Sequence, residues 1–184
     1  WGLGLKGPAT VEGKALVEPI SGGYTAPSEY EVHFTYANGV TQRTASTKLN
    51  GPTGAVNRDA KIDDPPHGVT FTGSDGWIFV TRGKIEASDP ALLKRELPAS
   101  AERLYKSDNH MGNFFDCVRS RKATICEPEI GHRSVSVCHL GVIAIRTGRK
   151  LTWDPEKQEF TGDSSDANQH IAREMRKPWS LDTI

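Results

Sequence analysis

Apolar and polar residues alternate through the first half of the chain, and that alternation predicts strands. Thr10–Val17 carries Val11, Ala15, Leu16 and Val17 and is broken afterwards by Gly22-Gly23 and Pro27. From Tyr30 the order is strict. Tyr30, Val32, Phe34 and Tyr36 point to one side and Glu31, His33 and Thr35 to the other, as in a strand with one buried and one polar face. Asn38-Gly39 follows, a dipeptide that accepts the positive φ angles of a two-residue type I′ turn, and Val40–Ala45 supplies the returning strand. Val69–Thr72 and Trp77–Thr81 flank Gly73-Ser74-Asp75-Gly76 as a second hairpin, after which Arg82-Gly83 turns the chain into Lys84–Ala87. Between the hairpins, Thr47–His67 is polar, holds three prolines and has neither period, so it reads as a long loop, functional or mobile.

The period then lengthens. Ser88-Asp89-Pro90 reads as a cap with proline near the first helical position, opening a short helix to about Arg95. Met111, Phe114, Phe115 and Val118 form a helical stripe suited to docking on a sheet, with Asp108 as its expected cap. Glu129–Thr147 is the longest helical segment, with Val135, Cys138, Val142, Ile143 and Ile145 as its apolar positions and Gly148 placed to stop it. Lys150–Trp153 and Phe160–Thr161 are short extended pieces around Asp154-Pro155-Glu156-Lys157, and Gly162–Gln169 opens a last small helix before Pro178. Strands first and helices later predict an α+β fold. A largely antiparallel, open-faced sheet carries helices on one face and leaves the other as a contact surface, in one domain over residues 1–184.

Composition narrows the function more than the fold. Lys+Arg 23 balance Asp+Glu 23, so bulk electrostatics recruits neither a nucleic-acid backbone nor an anionic membrane. No stretch approaches the roughly 20 apolar residues of a membrane span. A soluble protein of the cytoplasm or periplasm is expected, without nucleic-acid or membrane partners. Cys117, Cys126 and Cys138 lack CxxC spacing and read as reduced, structural thiols. The chain opens on Trp1-Gly2-Leu3-Gly4-Leu5 rather than on Met, which reads as a fragment or a processed product.

A nucleotide loop needs glycines at a strand-to-helix turn so that backbone N–H groups can approach phosphate. Gly2-x-Gly4 has no strand before it, and neither GxxxxGK[ST] nor GxSxG occurs, so no cofactor is expected on this chain alone. Glu129, His132 and His139 can line one side of a helix as metal ligands, but the second stripe such a site needs is missing. No metal is expected, and these histidines read as groups that cap, pair or hydrogen-bond. Cys138 and His139 are adjacent on a helix and point about 100° apart, so they make no thiolate–imidazole pair. Asp63-Asp64 and Glu127-Pro128-Glu129 lie in polar surroundings and read as solvated charge, since acid–base work needs one carboxyl desolvated and raised in pKa. His110 and Asn113 open the Met111–Val118 helix, where its dipole favours an anionic or hydroxyl-rich ligand. They are ligand-facing candidates, with capping and first-turn hydrogen bonding as the alternative.

The segment Asn109-His110-Met111-Gly112-Asn113-Phe114-Phe115-Asp116-Cys117-Val118-Arg119-Ser120-Arg121-Lys122 resembles the C-terminal domain of the Gfo/Idh/MocA oxidoreductases. So do Glu129-Ile130-Gly131-His132-Arg133-Ser134, Gly148-Arg149-Lys150-Leu151-Thr152-Trp153-Asp154 and Phe71-Thr72-Gly73-Ser74-Asp75-Gly76-Trp77-Ile78. The resemblance runs from Trp1 to about Trp179 and is nearest to dehydrogenases of bacterial carbohydrate metabolism. It implies a dihydrodipicolinate reductase-like C-terminal fold whose sheet walls the substrate pocket and serves as an oligomer interface. It also implies an N-terminal Rossmann domain, absent here, that holds NAD or NADP. The family's Glu-Lys-Pro segment and its Asp/His stretch have no counterpart here, so the resemblance implies no catalytic residue in this chain and no turnover by it alone. A sugar or polyol substrate would meet His110 first, then Asn113 and Arg133, while His132 serves the long helix. Two other readings remain: a non-enzymatic dimerisation or assembly module, and the same domain of an NAD-dependent glycosidase.

Overall fold

The computed structural model describes residues 3–46, 49–50, 55–56, 68–81, 83–101, 103 and 105–180. Most of Thr47–His67, including the Asp63-Asp64 pair, lies outside the described residues, as do Arg82 and the first two residues. In chain order the strands are β1 (Thr10–Val17), β2 (Glu29–Thr35), β3 (Thr41–Ala45), β4 (Leu49–Asn50), β5 (Ala55–Val56), β6 (Val69–Gly73), β7 (Gly76–Thr81) and β8 (Lys84–Ala87). A 3₁₀ turn (Pro90–Lys94), helix α1 (His110–Ser120), helix α2 (Pro128–Thr147), strands β9 (Leu151–Asp154) and β10 (Glu159–Phe160) and a second 3₁₀ stretch (Gly162–His170) complete the chain. The fold is α+β with antiparallel sheets, as the change of period predicted, and the strands fall into three sheets. The chain divides into two compact units, Trp1–Ser46 with Cys126–Ile184, and Thr47–Ile125.

The first unit is a five-stranded sheet in the order β10-β9-β1-β2-β3, with α2 packed against β1 and β2. Its inner face is set by pleat: Val11, Val32, Phe34, Leu151, Trp153 and Phe160 are buried, together with Tyr36 just beyond β2. From α2 come Leu140, Gly141, Ile143 and Ala144. The helix sits close because glycines face each other. A Cβ built on Gly13 would lie 2.9 Å from Ile145 Cγ1 and 3.1 Å from Ile145 N, and one on Gly141 would lie 3.4 Å from Val32 and Phe34 side chains.

Several expectations change here for physical reasons. Val135, Cys138 and Val142, read as part of the core stripe of α2, are exposed. Close approach selects the small residues Gly141 and Ala144 for the contact, which rotates the bulkier positions outward. The Asn38-Gly39 turn is a three-residue loop rather than type I′. Gly39 N donates to Tyr36 O, Tyr36 N donates to Val40 O, and of the two only Gly39 (φ 84°) takes a positive φ. Asn38 Oδ1 instead accepts from Val40 N. The strands of the second hairpin, β8, β9 and β10 lie within one residue of where the sequence put them. Gly148 (φ 65°) caps α2 with its N–H on Ala144 O. At the sheet edge the Asn168 carboxamide accepts from Phe160 N at 2.7 Å and donates to Phe160 O at 2.9 Å, taking the place of a further strand.

In the second unit β6, β7 and β8 form a three-stranded sheet, and β4 pairs with β5. Register places Val69, Phe71, Ile78, Val80 and Ile85 on one face, where Val69, Phe71, Val80 and Ile85 are exposed. The cap of α1 is Asn109, whose Oδ1 accepts from Gly112 N at 2.8 Å, and not Asp108, which pairs with Lys106 at 3.1 Å. The side-chain reach of a cap must match the first turn, and Asn109 is the residue in extended geometry immediately before it. No residue of α1 is buried: Met111, Phe114, Phe115 and Val118 stay about half exposed instead of docked. Periodicity reveals that a helix has an apolar side, but not which surface meets it.

Candidate functional site

The first turn of α1 carries His110 and Asn113, which fall on the same side of the helix. His110 is exposed. Asn113 is committed at both ends of its carboxamide: Nδ2 donates to Tyr105 Oη at 2.6 Å, and Oδ1 accepts from Ile125 N at 3.0 Å. Cys117, one turn further on, donates from Sγ to Ala123 O at 3.3 Å. Together these bonds fold the segments before and after α1 against it. Neither Tyr105 nor Ile125 was legible as a site residue, since no spacing rule links a lone tyrosine to an asparagine eight positions later.

Arg133 belongs to the other compact unit. Its side chain is mostly buried, with Nε donating to Glu129 Oε1 at 2.6 Å and Nη1 donating to Pro155 O. The Arg133 guanidinium holds the Glu129 carboxyl below the ordinary carboxylate range. Beside it, Leu5, Lys6, Tyr36, Ser134 and Val137 line a cavity of about 40 Å³, room for a water rather than for a sugar. His132 Nε2 lies 2.5 Å from Gln158 Oε1, and Lys6 Nζ pairs with Glu156 Oε2 at 2.6 Å. Arg133, His132 and Lys6 thus bracket the turn between β9 and β10, which contains Gln158 at φ 57°. His132 serves packing against that turn. Among the described residues, no three His, Cys, Asp or Glu side chains converge to hold a metal ion.

The outer face of the five-stranded sheet is polar. Opposite partners place Glu12, His33 and Arg43 in one row and Lys14 with Glu31 in the next. Glu31 Oε1 accepts from Arg43 Nε at 2.7 Å and lies 2.5 Å from His33 Nε2. The Arg43 hydrogen bond, helped by His33 and opposed by burial, holds the Glu31 carboxyl at about 2 against an ordinary 4.5. A carboxyl lowered on folding stabilises the native state fully above its unfolded pKa, and that stability disappears as pH falls through the folded value. Urea unfolding between pH 4.5 and 2 is therefore expected to show a loss that Glu31→Gln flattens. The loss should be on the order of 1 kcal/mol after solvent screening at this open face. An identical acid slope in the variant would refute the assignment.

α1 opens on Asn109, which occupies Gly112 N, and α2 opens on Glu127-Pro128-Glu129. At the start of α2 two carboxylates disfavour an anion, and Pro128 offers no N–H to donate. Among the described residues, no helix is long and apolar enough to cross a membrane.

Residues 59–181 match the family model described as the oxidoreductase family, C-terminal alpha/beta domain, of Gfo/Idh/MocA type. No curated protein matches the chain. The match begins after β3, yet β1 pairs with β9 and packs under α2, so strands ahead of the matched range complete the sheet that its last part enters. Since the match covers well over half of the sequence and ends within the sheet–helix unit described above, the chain belongs to the Gfo/Idh/MocA oxidoreductase family, as its C-terminal alpha/beta domain.

Proposed function

We propose that residues 1–184 act as one substrate-side domain of an NAD(P)-dependent oxidoreductase whose substrates are sugars or related polyols. An N-terminal Rossmann domain would hold NAD or NADP and carry hydride chemistry. The observation that carries this reading is the family match over residues 59–181. His110 is the first substrate contact in this reading, because it is exposed on the first turn of α1. Asn113 and Arg133 act with it only through what their existing hydrogen bonds leave available. Hydride transfer needs the nicotinamide and the substrate carbon in near-attack contact with a base beside the hydroxyl, and none of these residues cradles a dinucleotide. The purified chain is expected to show no sugar-dependent change in NAD(P)H absorbance. Turnover by the chain alone would overturn the reading.

The sheet faces support homo-oligomer formation to different degrees. The outer face of the five-stranded sheet, with Glu12, Lys14, Glu31, His33 and Arg43, offers charge pairing rather than apolar burial. The exposed Val69, Phe71, Val80 and Ile85 on the three-stranded sheet favour the second reading, an assembly module without chemistry. Light scattering over a concentration series at low and high salt separates them. Association through the charged face weakens with salt, and association through the apolar one does not.

A further inference from the structure

We infer that the outward side of α2 is the surface on which the N-terminal domain of the two-domain protein docks. The inference rests on the proposed function, which supplies that domain, and adds where it sits. Gly131, Val135, Cys138 and Val142 are spaced four, three and four residues apart. At about 100° per residue they fall within roughly 60° of one another, on the side of α2 opposite Leu140 and Ala144. All four are exposed, Val135 at 48% and Val142 at 44%. The outward side of a helix that covers a sheet ordinarily carries polar and charged groups. Here the exposed His139 and Arg146 stand on one flank, and the middle is a seam of short, uncharged side chains. Nothing lies within 4 Å of a Cβ built on Gly131, so the seam is open at that end.

The size of the seam and the path of the chain decide between occupants. From Gly131 to Val142 the seam is about 16 Å long, and on a helix about 10 Å across it offers on the order of 160 Å². A second copy recruited from solution needs about 800 Å² on each partner. A tethered domain needs far less, because a short tether raises its effective concentration to about the millimolar range. The path of such a tether is fixed: Leu3, Leu5 and Lys6 share a small cavity with Ser134 and Val137 of α2, and Lys6 pairs with Glu156. A domain joined ahead of Leu3 therefore meets the first half of α2, where Ser134 borders the seam beside Val135. The family match makes this chain the C-terminal domain, which puts the other domain on that side of Leu3.

Cys138 lies within the seam and reports on its cover, since the reaction of a thiol follows its exposure. The test measures alkylation of Cys138 by N-ethylmaleimide, read by peptide mass spectrometry, in the 184-residue chain and in the full-length two-domain protein. Each is referred to its urea-unfolded form. Cys138 is expected to react within about three-fold of the unfolded rate in the chain alone and at least about ten-fold more slowly in the two-domain protein. Val135→Glu sets a charge against the docked surface and should return the two-domain protein to about the rate of the chain. The same substitution in the 184-residue chain should leave its melting temperature unchanged, because position 135 is exposed there. Reduction of NAD(P) with sorbitol and with D-glucose is recorded in parallel on the two-domain protein. Turnover by a two-domain protein whose Cys138 reacts as fast as in the chain overturns the docking surface and leaves the functional reading intact. Protection of Cys138 without turnover supports the docking surface and counts against the functional reading alone. Protection already present in the 184-residue chain overturns the inference: relieved by dilution, it assigns the seam to a second copy, and unrelieved, to another part of the same chain.

Discussion

Gly13→Val should leave little or no folded protein, and Gly13→Ala should cost roughly 1–3 kcal/mol, the range of an overpacked core. Gly13 is buried in β1 where α2 crosses it. Its first added carbon would meet Ile145 Cγ1 at 2.9 Å, Ile145 N at 3.1 Å and Gly141 O at 3.3 Å. Two of those three atoms are helix backbone, which cannot rotate away as a side-chain end can. The helix would have to lift from the sheet, exposing Leu140, Ile143 and Ala144. Gly131→Ala in the same helix is the control. Nothing lies within 4 Å of its added carbon, so it should stabilise the fold by about 0.5–1 kcal/mol through helix propensity. Urea unfolding followed by circular dichroism measures both. Equal effects for the two glycines would show that α2 does not approach β1 as described.

Phe160→Ala is expected to cost about 3–5 kcal/mol, the range for removing a fully enclosed aromatic ring. Phe160 is 1% exposed and meets Trp153 edge-on, with ring centroids 5.0 Å apart and planes at 69°. It is also one of the two residues of β10, and the Asn168 carboxamide holds its outward backbone N–H and C=O. Losing the ring would loosen that strand and open the environment of Trp153. A red shift of tryptophan emission accompanying the lower unfolding midpoint would report this. A fall of under about 1 kcal/mol would mean that the site collapses around the gap.

The strands of the five-stranded sheet were legible because one face lies against a core and the other toward water, so period and burial coincide. Val32 and Phe34 are buried exactly where the alternation from Tyr30 put them, while Glu31 and His33 face out. The helices were legible as helices, and their stop at Gly148 too, since a left-handed cap is a local demand. Which side of each helix is buried was not. On α2 the small residues Gly141 and Ala144 won over Val135 and Val142, because a distance of approach belongs to two elements at once. On α1 the apolar stripe meets no core of its own.

The candidate site divides in the same way. His110 and Asn113 could be found from a helix start, and Arg133 from family resemblance. Tyr105, the Ile125 amide and the Pro155 carbonyl could not, because each reaches its partner across a loop whose path no local pattern encodes. Period, capping signals and turn residues established an α+β chain of antiparallel strands followed by helices, since these depend on neighbours a few residues apart. The fit of α2 on Gly13, the commitment of Asn113 to Tyr105 and the tie of Arg133 to the β9–β10 turn came only with folding, because each is a contact between residues that are far apart along the chain.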